Sequence, residues 1–296
     1  MNMNLSEYKP PTPLQIQAMQ EVQKTVVKHD AMTKIIDDIV AMATMMQSIR
    51  MPAGILIEAE PGMGKTLILQ LVREEVNHRL KHNIGENKTI AIKLDAAVDT
   101  IRMAGFFTKA LGYPMLPMTA RLESMNNMIE RAIQRLNPVI TTIDETQHIC
   151  EGNRDITARN VTDWIKVRMD EFNFATICAG TFGLQKLCEI NPQFTSRASA
   201  NYIIEPFRYD QAWLSLLNGF ERSVQTVNMG VISQAAAKKL HAATKGNIRS
   251  LKRILTYAAE SATQSPKLQV QLSDLEYAYD RHAGAACGHS NPFRNV

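Results

Sequence analysis

The chain has 296 residues, 45% of them hydrophobic and 21% charged, with 14 Gly and 12 Pro. That length buries a substantial core, and the composition excludes wholesale disorder and fibrous folds. Lys and Arg number 33 against 29 Asp and Glu, a net charge of +4, which suits a nucleic-acid partner without demanding one.

Pro10, Pro11 and Pro13 read as an extended arm. Apolar positions from Ile16 to Ala43 recur at helical spacing, giving two helices within 16–47, broken near His29 and Asp30. The period then changes: a short apolar run at 53–58 reads as a buried strand, followed by a Gly-rich turn and a helix over 65–80. A second strand is expected at 88–94, helices at 101–111 and 122–136, and a third strand at 139–143 after Asn137-Pro138. A helix at 161–172, a strand at 174–179, a helix at 184–190 and a strand at 202–205 complete the series. Alternating strands and helices call for a parallel sheet with helices on both faces. Beyond Pro206 the pattern is helical, at 209–227, 233–244, 248–262 and 275–282, with Ser273 as N-cap of the last. A domain boundary is placed near Phe207, and the end of the chain shows no periodicity.

The cysteines, Cys150, Cys178, Cys188 and Cys287, form no Cys-x-x-Cys pair, so reduced thiols are expected rather than a zinc site or disulfide scaffold. The first residues lack an apolar signal core, and no apolar run approaches the ~20 residues that span a bilayer. A cytoplasmic protein without a membrane partner is expected.

The strongest local signal is Ala59-Glu-Pro-Gly-Met-Gly-Lys-Thr66 between a strand and a helix. Wrapping a phosphate in backbone N–H groups needs glycines, a Lys for the β/γ oxygens and a hydroxyl for Mg²⁺. Gly62, Gly64, Lys65 and Thr66 supply these. The expected ATP-binding set is Glu60, Pro61, Gly62, Met63, Gly64, Lys65, Thr66 and Leu67. The strand Val139-Ile-Thr-Thr-Ile143 runs into Asp144-Glu145. Asp144 is placed to organise Mg²⁺ together with Thr66, and Glu145 to act as general base on water. The next strand ends in Gly180-Thr181, whose hydroxyl is placed between Asp144 and the γ-phosphate. A nucleotide triphosphatase that hydrolyses is expected.

In this order of parts the sequence resembles an AAA+ ATPase over about 53–283, with Walker A at 59–66, Walker B at 139–145, a sensor-1-like Thr181 and an all-helical lid. The resemblance implies a three-layer P-loop α/β core at 51–207, preceded by an arm and helices (1–50) and followed by a helical lid (208–283) and a flexible tail (284–296). It implies that Arg197, one helix after the sensor-1 strand, is a finger completing a neighbouring subunit's site. It also implies that Arg249, in Lys245-Gly-Asn-Ile-Arg249, is a sensor-2 arginine, with Arg253 one turn later as the alternative.

Within AAA+ the likeness is to the TniB/TnsC group of transposition regulators, related to MuB and to ExeA-type ATPases. It is carried by the Thr12-Pro13 entry, Ile143-Asp-Glu-Thr-Gln-His148, Ala179-Gly-Thr181, Gly246-Asn-Ile-Arg249 and Asn291-Pro-Phe293. Ala59 in place of the first loop glycine and the Thr141-Thr142 interruption depart from the pattern, and neither removes a catalytic group. The group implies ATP-dependent assembly on double-stranded DNA and engagement of a transposase and a target-selection protein. Phosphate contacts would come from Arg102, Thr119 and Arg121, with Lys109 as a further candidate; such contacts carry no sequence information. The rival readings are an ExeA-type secretion or signalling ATPase that ignores DNA, and a helicase loader.

Overall fold

A computed structural model describes residues 10–80, 88–114, 121–151, 155–283 and 290–294. The chain forms two compact units, one spanning Asp30–Glu205 and one joining Met1–His29 to Pro206–Val296. The expected lead segment 1–50 is therefore split. Helix α1 (Pro13–Lys24) belongs with the C-terminal helices, and α2 (Asp30–Ser48) belongs with the sheet.

The Asp30–Glu205 unit is built on strands β1 (Gly54–Ala59), β2 (Thr89–Lys93), β3 (Ile140–Asp144), β4 (Ala175–Gly180) and β5 (Ala198–Ile204). All pairs are parallel, in the order β2-β3-β4-β1-β5. The three inner strands are buried at every position, the pattern of a sheet covered on both faces. Side chains alternate between two cores. Ile55, Ile57, Ile177 and Ala179 pack with Ile36, Ile39 and Val40 of α2 and Ile68, Leu69 and Val72 of α3 (Lys65–Leu80). Leu56, Ile92, Ile143 and Cys178 point the other way. They pack against α4 (Thr100–Ala110), α5 (Leu122–Leu136), α6 (Asp155–Phe172), α7 (Leu184–Ile190) and Phe194 of the short α8 (Pro192–Thr195). The expected three-layer α/β core is present.

Two boundaries in this unit differ from expectation. β5 starts at Ala198 rather than 202, because Ala198-Ser-Ala-Asn201 is a half-exposed edge strand whose small and polar residues carry little apolar signal. α6 starts at Asp155 rather than 161, because its first turns are polar. Met42 and Met46 of α2 pack against the core. Burial pushes the thiol of Cys178 up to about 12 and that of Cys150 up to about 11, so both stay protonated at neutral pH.

In the other unit, α1 joins α9 (Gln211–Ser223), α10 (Ala237–Thr244), α11 (Ile248–Ala262) and α12 (Leu272–Ala283) around Trp213, Leu217, Phe220, Leu240 and Leu255. Thr12 and Gln15 form a capping box on α1, with Pro13 at its first position. Polar ties help hold α1 in place, those of Glu21 among them. The Glu21 carboxylate accepts from the backbone N–H groups of Gln225 (2.8 Å) and Thr226 (2.9 Å) and from the Thr226 hydroxyl (2.6 Å). Burial raises the pKa of Glu21, but these hydrogen bonds together outweigh it and hold the group below its ordinary value.

The helix expected from 233 begins at Ala237, after a run of turns, and that expected over 209–227 spans Gln211–Ser223. Ser273 is not a cap. α12 begins at Leu272, and the N–H of Gln271 donates to Asp274. Nor is the end of the chain uniformly loose. Phe293 is 2% exposed and packs edge-on to Tyr279, while Asn291 donates to Glu276 O and Asp280. Arg294 pairs with Glu276 and Asp280. Residues 284–289, with Cys287, lie outside the described residues. Among the described residues no helix is long and apolar enough to cross a membrane.

Candidate functional site

All five strands point the same way, so the loops after β1, β3 and β4 emerge at one edge of the sheet, the edge where α/β proteins bind ligands. The first of these loops is the expected phosphate loop. Gly62 and Gly64 take φ of +91° and +89°, values that side-chain-bearing residues rarely adopt, and a Cβ on Gly64 would meet nothing within 4 Å. The glycines are there for conformation, and the loop mouth is open. α3 begins at Lys65, which aims the positive end of its dipole at the same place. Ala59, which replaces the usual glycine, is wholly buried at the strand end, and Met63 anchors the loop at 2% exposure. Glu60 and Pro61 are exposed, Leu67 partly so.

Lys65 is 6% exposed, and its ammonium spans the loop, donating to Ala59 O (2.8 Å) and Glu60 O (3.2 Å). Next to it, Thr66 Oγ1 donates to Asp144 Oδ2 at 2.6 Å, across 78 residues of sequence. The other oxygen of Asp144 accepts the N–H of Glu145 at 2.9 Å. One carboxylate thus ties the phosphate loop to the end of β3. A hydroxyl and a carboxylate side by side are hard oxygen ligands of the kind Mg²⁺ takes while keeping several waters, so the residues present fit that ion. The positive φ of Glu145 (+56°) is uncommon for a non-glycine residue; such conformations gather at functional sites. It turns the chain out of the strand at the carboxylate.

Two residues that the sequence alone does not single out complete this edge. Gln147, in the 3-10 turn Thr146–Ile149, donates from Nε2 to Glu145 Oε2 (2.6 Å) and accepts at Oε1 from the N–H of Thr181 (3.2 Å). Arg73, two turns along α3 from Lys65, donates to Thr142 Oγ1 (2.9 Å), and that hydroxyl reaches Ile90 O at 3.3 Å. Burial lowers the pKa of Arg73, opposed by the charge of Asp144. One of the two threonines interrupting the Walker B strand therefore has a polar role. The other, Thr141, is buried with no hydrogen-bond partner. His148 pairs with Glu151, a local contact.

Thr181 follows β4, which lies between β1 and β3, so it stands between the phosphate loop and Asp144 in strand order. Arg197 is elsewhere. Its carbonyl accepts the N–H of Gly54, at the start of β1, and about 17 Å of strand separate Gly54 from Ala59 at ~3.3 Å per residue. Its guanidinium pairs with Asp170 at 2.8 Å, and Nε is buried without a partner. Arg197 therefore lies at the edge of the sheet opposite its own phosphate loop.

Arg249 is the second residue of α11, in the helical unit, just after the cap Asn247. Arg102 is half exposed, its guanidinium laid over Ala97 O (3.0 Å) and Asp95 (3.4 Å). Arg121 stands exposed at the N-cap position of α5, and Lys109 is exposed at the end of α4. Thr119 lies outside the described residues.

Several solved structures share this architecture. The ORC2 protein of Aeropyrum pernix in ADPNP–ADP complexes is 12% identical, with a TM-score of 0.70 over 90% of this chain and 72% of that one. Drosophila ORC bound to DNA is 15% identical, with a TM-score of 0.66 over 97% and 71%. The Aeropyrum pernix ORC1 protein in complex with DNA is 16% identical, with a TM-score of 0.63 over 89% and 69%. The fold is that of the AAA+ ATPases. No curated protein matches in sequence. Residues 16–205 match the family described as Bacterial TniB protein, and the chain belongs to that family.

Proposed function

We propose that this chain is an ATP-hydrolysing regulator of DNA transposition that assembles with ATP on double-stranded DNA without sequence preference and engages a transposase and a target-selection protein. The observation that carries the hydrolytic part is the Thr66–Asp144 bond at 2.6 Å beside Lys65, with Glu145 next in the chain. Membership of the TniB family supports the role in transposition.

In this reading the glycine loop and Lys65 hold the β- and γ-phosphates, and Thr66 and Asp144 hold Mg²⁺. When bound, the ion supplies positive charge against the phosphate oxygens. Glu145 takes the proton of the attacking water, Thr181 orients it, and Arg249 of the helical unit senses the γ-phosphate. Because Arg197 sits at the far edge from its own loop, any phosphate it reaches belongs to another copy, so turnover depends on assembly.

Mixing two inactive variants tests this arrangement. Arg197→Ala keeps an intact loop without a finger, and Lys65→Ala keeps a finger without a loop. Each alone loses turnover, by about 10³-fold for the finger. An equimolar mixture recovers activity at roughly a quarter of its interfaces if copies assort randomly. A mixture as inactive as its parts rules out a finger acting between copies.

The DNA role is tested by co-sedimentation with plasmid at low salt. The expected result is pelleting with ATP or a non-hydrolysable analogue, lost with ADP and weakened by added salt as phosphate contacts from Arg102, Thr119 and Arg121 are screened. No pelleting in any nucleotide state favours an ATPase that works on protein partners, as ExeA-type ATPases are expected to. A preference for single strands favours a helicase loader.

A further inference from the structure

Gln147 lies in neither Walker motif, yet its amide is the link between the carboxylate of Glu145 and the end of β4. The direction of the two bonds fixes the amide. Oε1 accepts from the N–H of Thr181, which can only donate, so Nε2 is the atom facing Glu145. The slot that holds it is made by two glycines. A Cβ on Gly180 would stand 2.6 Å from Gln147 Oε1 and 3.3 Å from its backbone N, and one on Gly183 would come within 3.3 Å of its Cβ. Leu184 closes the same space, 3.1 Å from a Cβ on Gly180. The amide is thus held on both polar ends and walled by backbone, and it grips Glu145 where the chain leaves β3 in a left-handed turn.

We propose that Gln147 is a positioning residue for hydrolysis. It sets the direction of the Glu145 carboxylate and couples it to Thr181, so that a shift at the end of β4 reaches the general base through one side chain. The proposal rests on the reading of Glu145 as that base. A carboxylate held by one hydrogen bond on one oxygen presents the other in a fixed direction, and a displacement of about 1 Å in such a group costs on the order of 10²-fold in rate.

Three variants test it, with steady-state phosphate release, titration of a fluorescent ATP analogue and thermal unfolding measured on each. Gln147→Met keeps length and volume and removes both hydrogen bonds. The expected result is a kcat lowered about 10–100-fold with KM and nucleotide affinity within about threefold of the parent. Gly180→Ala, which drives a methyl into the amide, reproduces that split without altering Gln147. Gln147→Glu still accepts from Thr181 but cannot donate while ionised. Its rate relative to the parent therefore rises as pH is lowered and the introduced carboxyl gains a proton, whereas the ratio for Gln147→Met stays flat. A side chain that merely filled space would give no such pH dependence, and the ratio is readable even if a variant is less stable.

Glu145→Gln is the control for the underlying reading. If it abolishes turnover while Gln147→Met keeps the parental kcat, or the Gln147→Glu ratio stays flat or falls as pH is lowered, the proposal for Gln147 is overturned and the general base stands. If Glu145→Gln turns over at the parental rate, the reading of Glu145 falls, and the proposal with it.

Discussion

Glu145→Gln lowers ATP turnover by about 10²–10⁴-fold, the worth of a general base, and leaves ATP bound. The amide matches the carboxylate in shape and can still accept the hydrogen bond from Gln147, but it cannot take a proton from water. A glutamine meets the left-handed backbone at position 145 no worse than a glutamate does, so the turn at the end of β3 survives. Asp144 keeps its bond to Thr66, so the pair proposed to hold Mg²⁺ is untouched. Lys65→Ala fails in the opposite way. It removes the ammonium that bridges Ala59 O and Glu60 O in the phosphate loop, and nucleotide affinity falls along with turnover. Phosphate release read alongside fluorescent-nucleotide titration separates the two. A Glu145→Gln protein that hydrolyses at the parental rate, or a Lys65→Ala protein that binds ATP at the parental affinity, contradicts the assignment of that residue.

Gly246→Ala unfolds or severely weakens the helical unit. Gly246 has φ +76°, and a Cβ there would lie 2.0 Å from Phe207 O and 2.6 Å from Phe207 N. Both neighbours are backbone, so no side-chain rotation relieves the clash. The contact is also bonded: Phe207 N donates to Gly246 O at 3.1 Å, and His241 Nε2 meets Phe207 O at 2.8 Å. Leaving the left-handed region to escape the clash would break the turn between α10 and α11. The left-handed conformation alone costs an alanine about 1–2 kcal/mol. With the lost backbone link the total is about 3–5 kcal/mol, a large share of the ~5–15 kcal/mol that holds a domain together. Gly105→Ala is the matched control. It lies inside α4 at an ordinary φ with nothing within 4 Å of a new Cβ, and it should gain about 0.5–1 kcal/mol. Calorimetry on the two proteins decides the matter; a parental melting temperature for Gly246→Ala refutes the account.

The Gly246-Asn-Ile-Arg249 stretch illustrates what a short motif conveys. Read as a string, it points to Arg249. Its glycine is required by Phe207, nearly forty residues earlier, a constraint that local pattern does not display. The inner strands are legible because burial on both faces keeps their runs short and mostly apolar, with Thr141 and Thr142 as the main interruption, and the grouping of Lys65, Thr66, Asp144 and Glu145 is legible because phosphate and metal chemistry would restrict residue type and spacing. β5 is half hidden because an edge strand tolerates Ala, Ser and Asn. Gln147 stands in the Ile143–His148 string, but its role is not legible there because glutamine has no titration or ligand signature; the glycine pair at 180 and 183 makes room for it. The anchoring of Asn291, Phe293 and Arg294 escapes notice for a similar reason. Their partners are on α12, and an aperiodic stretch reads as loose whether or not a groove waits for it.

The partnership of α1 with the last four helices has a bearing on how the protein is made. Gln23 bonds Thr256 across 233 positions, with the whole sheet-bearing unit encoded between them. At ribosomal speeds of ~5–20 residues per second, α1 emerges on the order of ten seconds or more before its first neighbour exists. During that interval Ala18 and Val22, both fully covered in the finished protein, face solvent or a chaperone. The intervening unit is free to acquire its structure first, and closure of the helical unit around the early helix is left as the last act of folding.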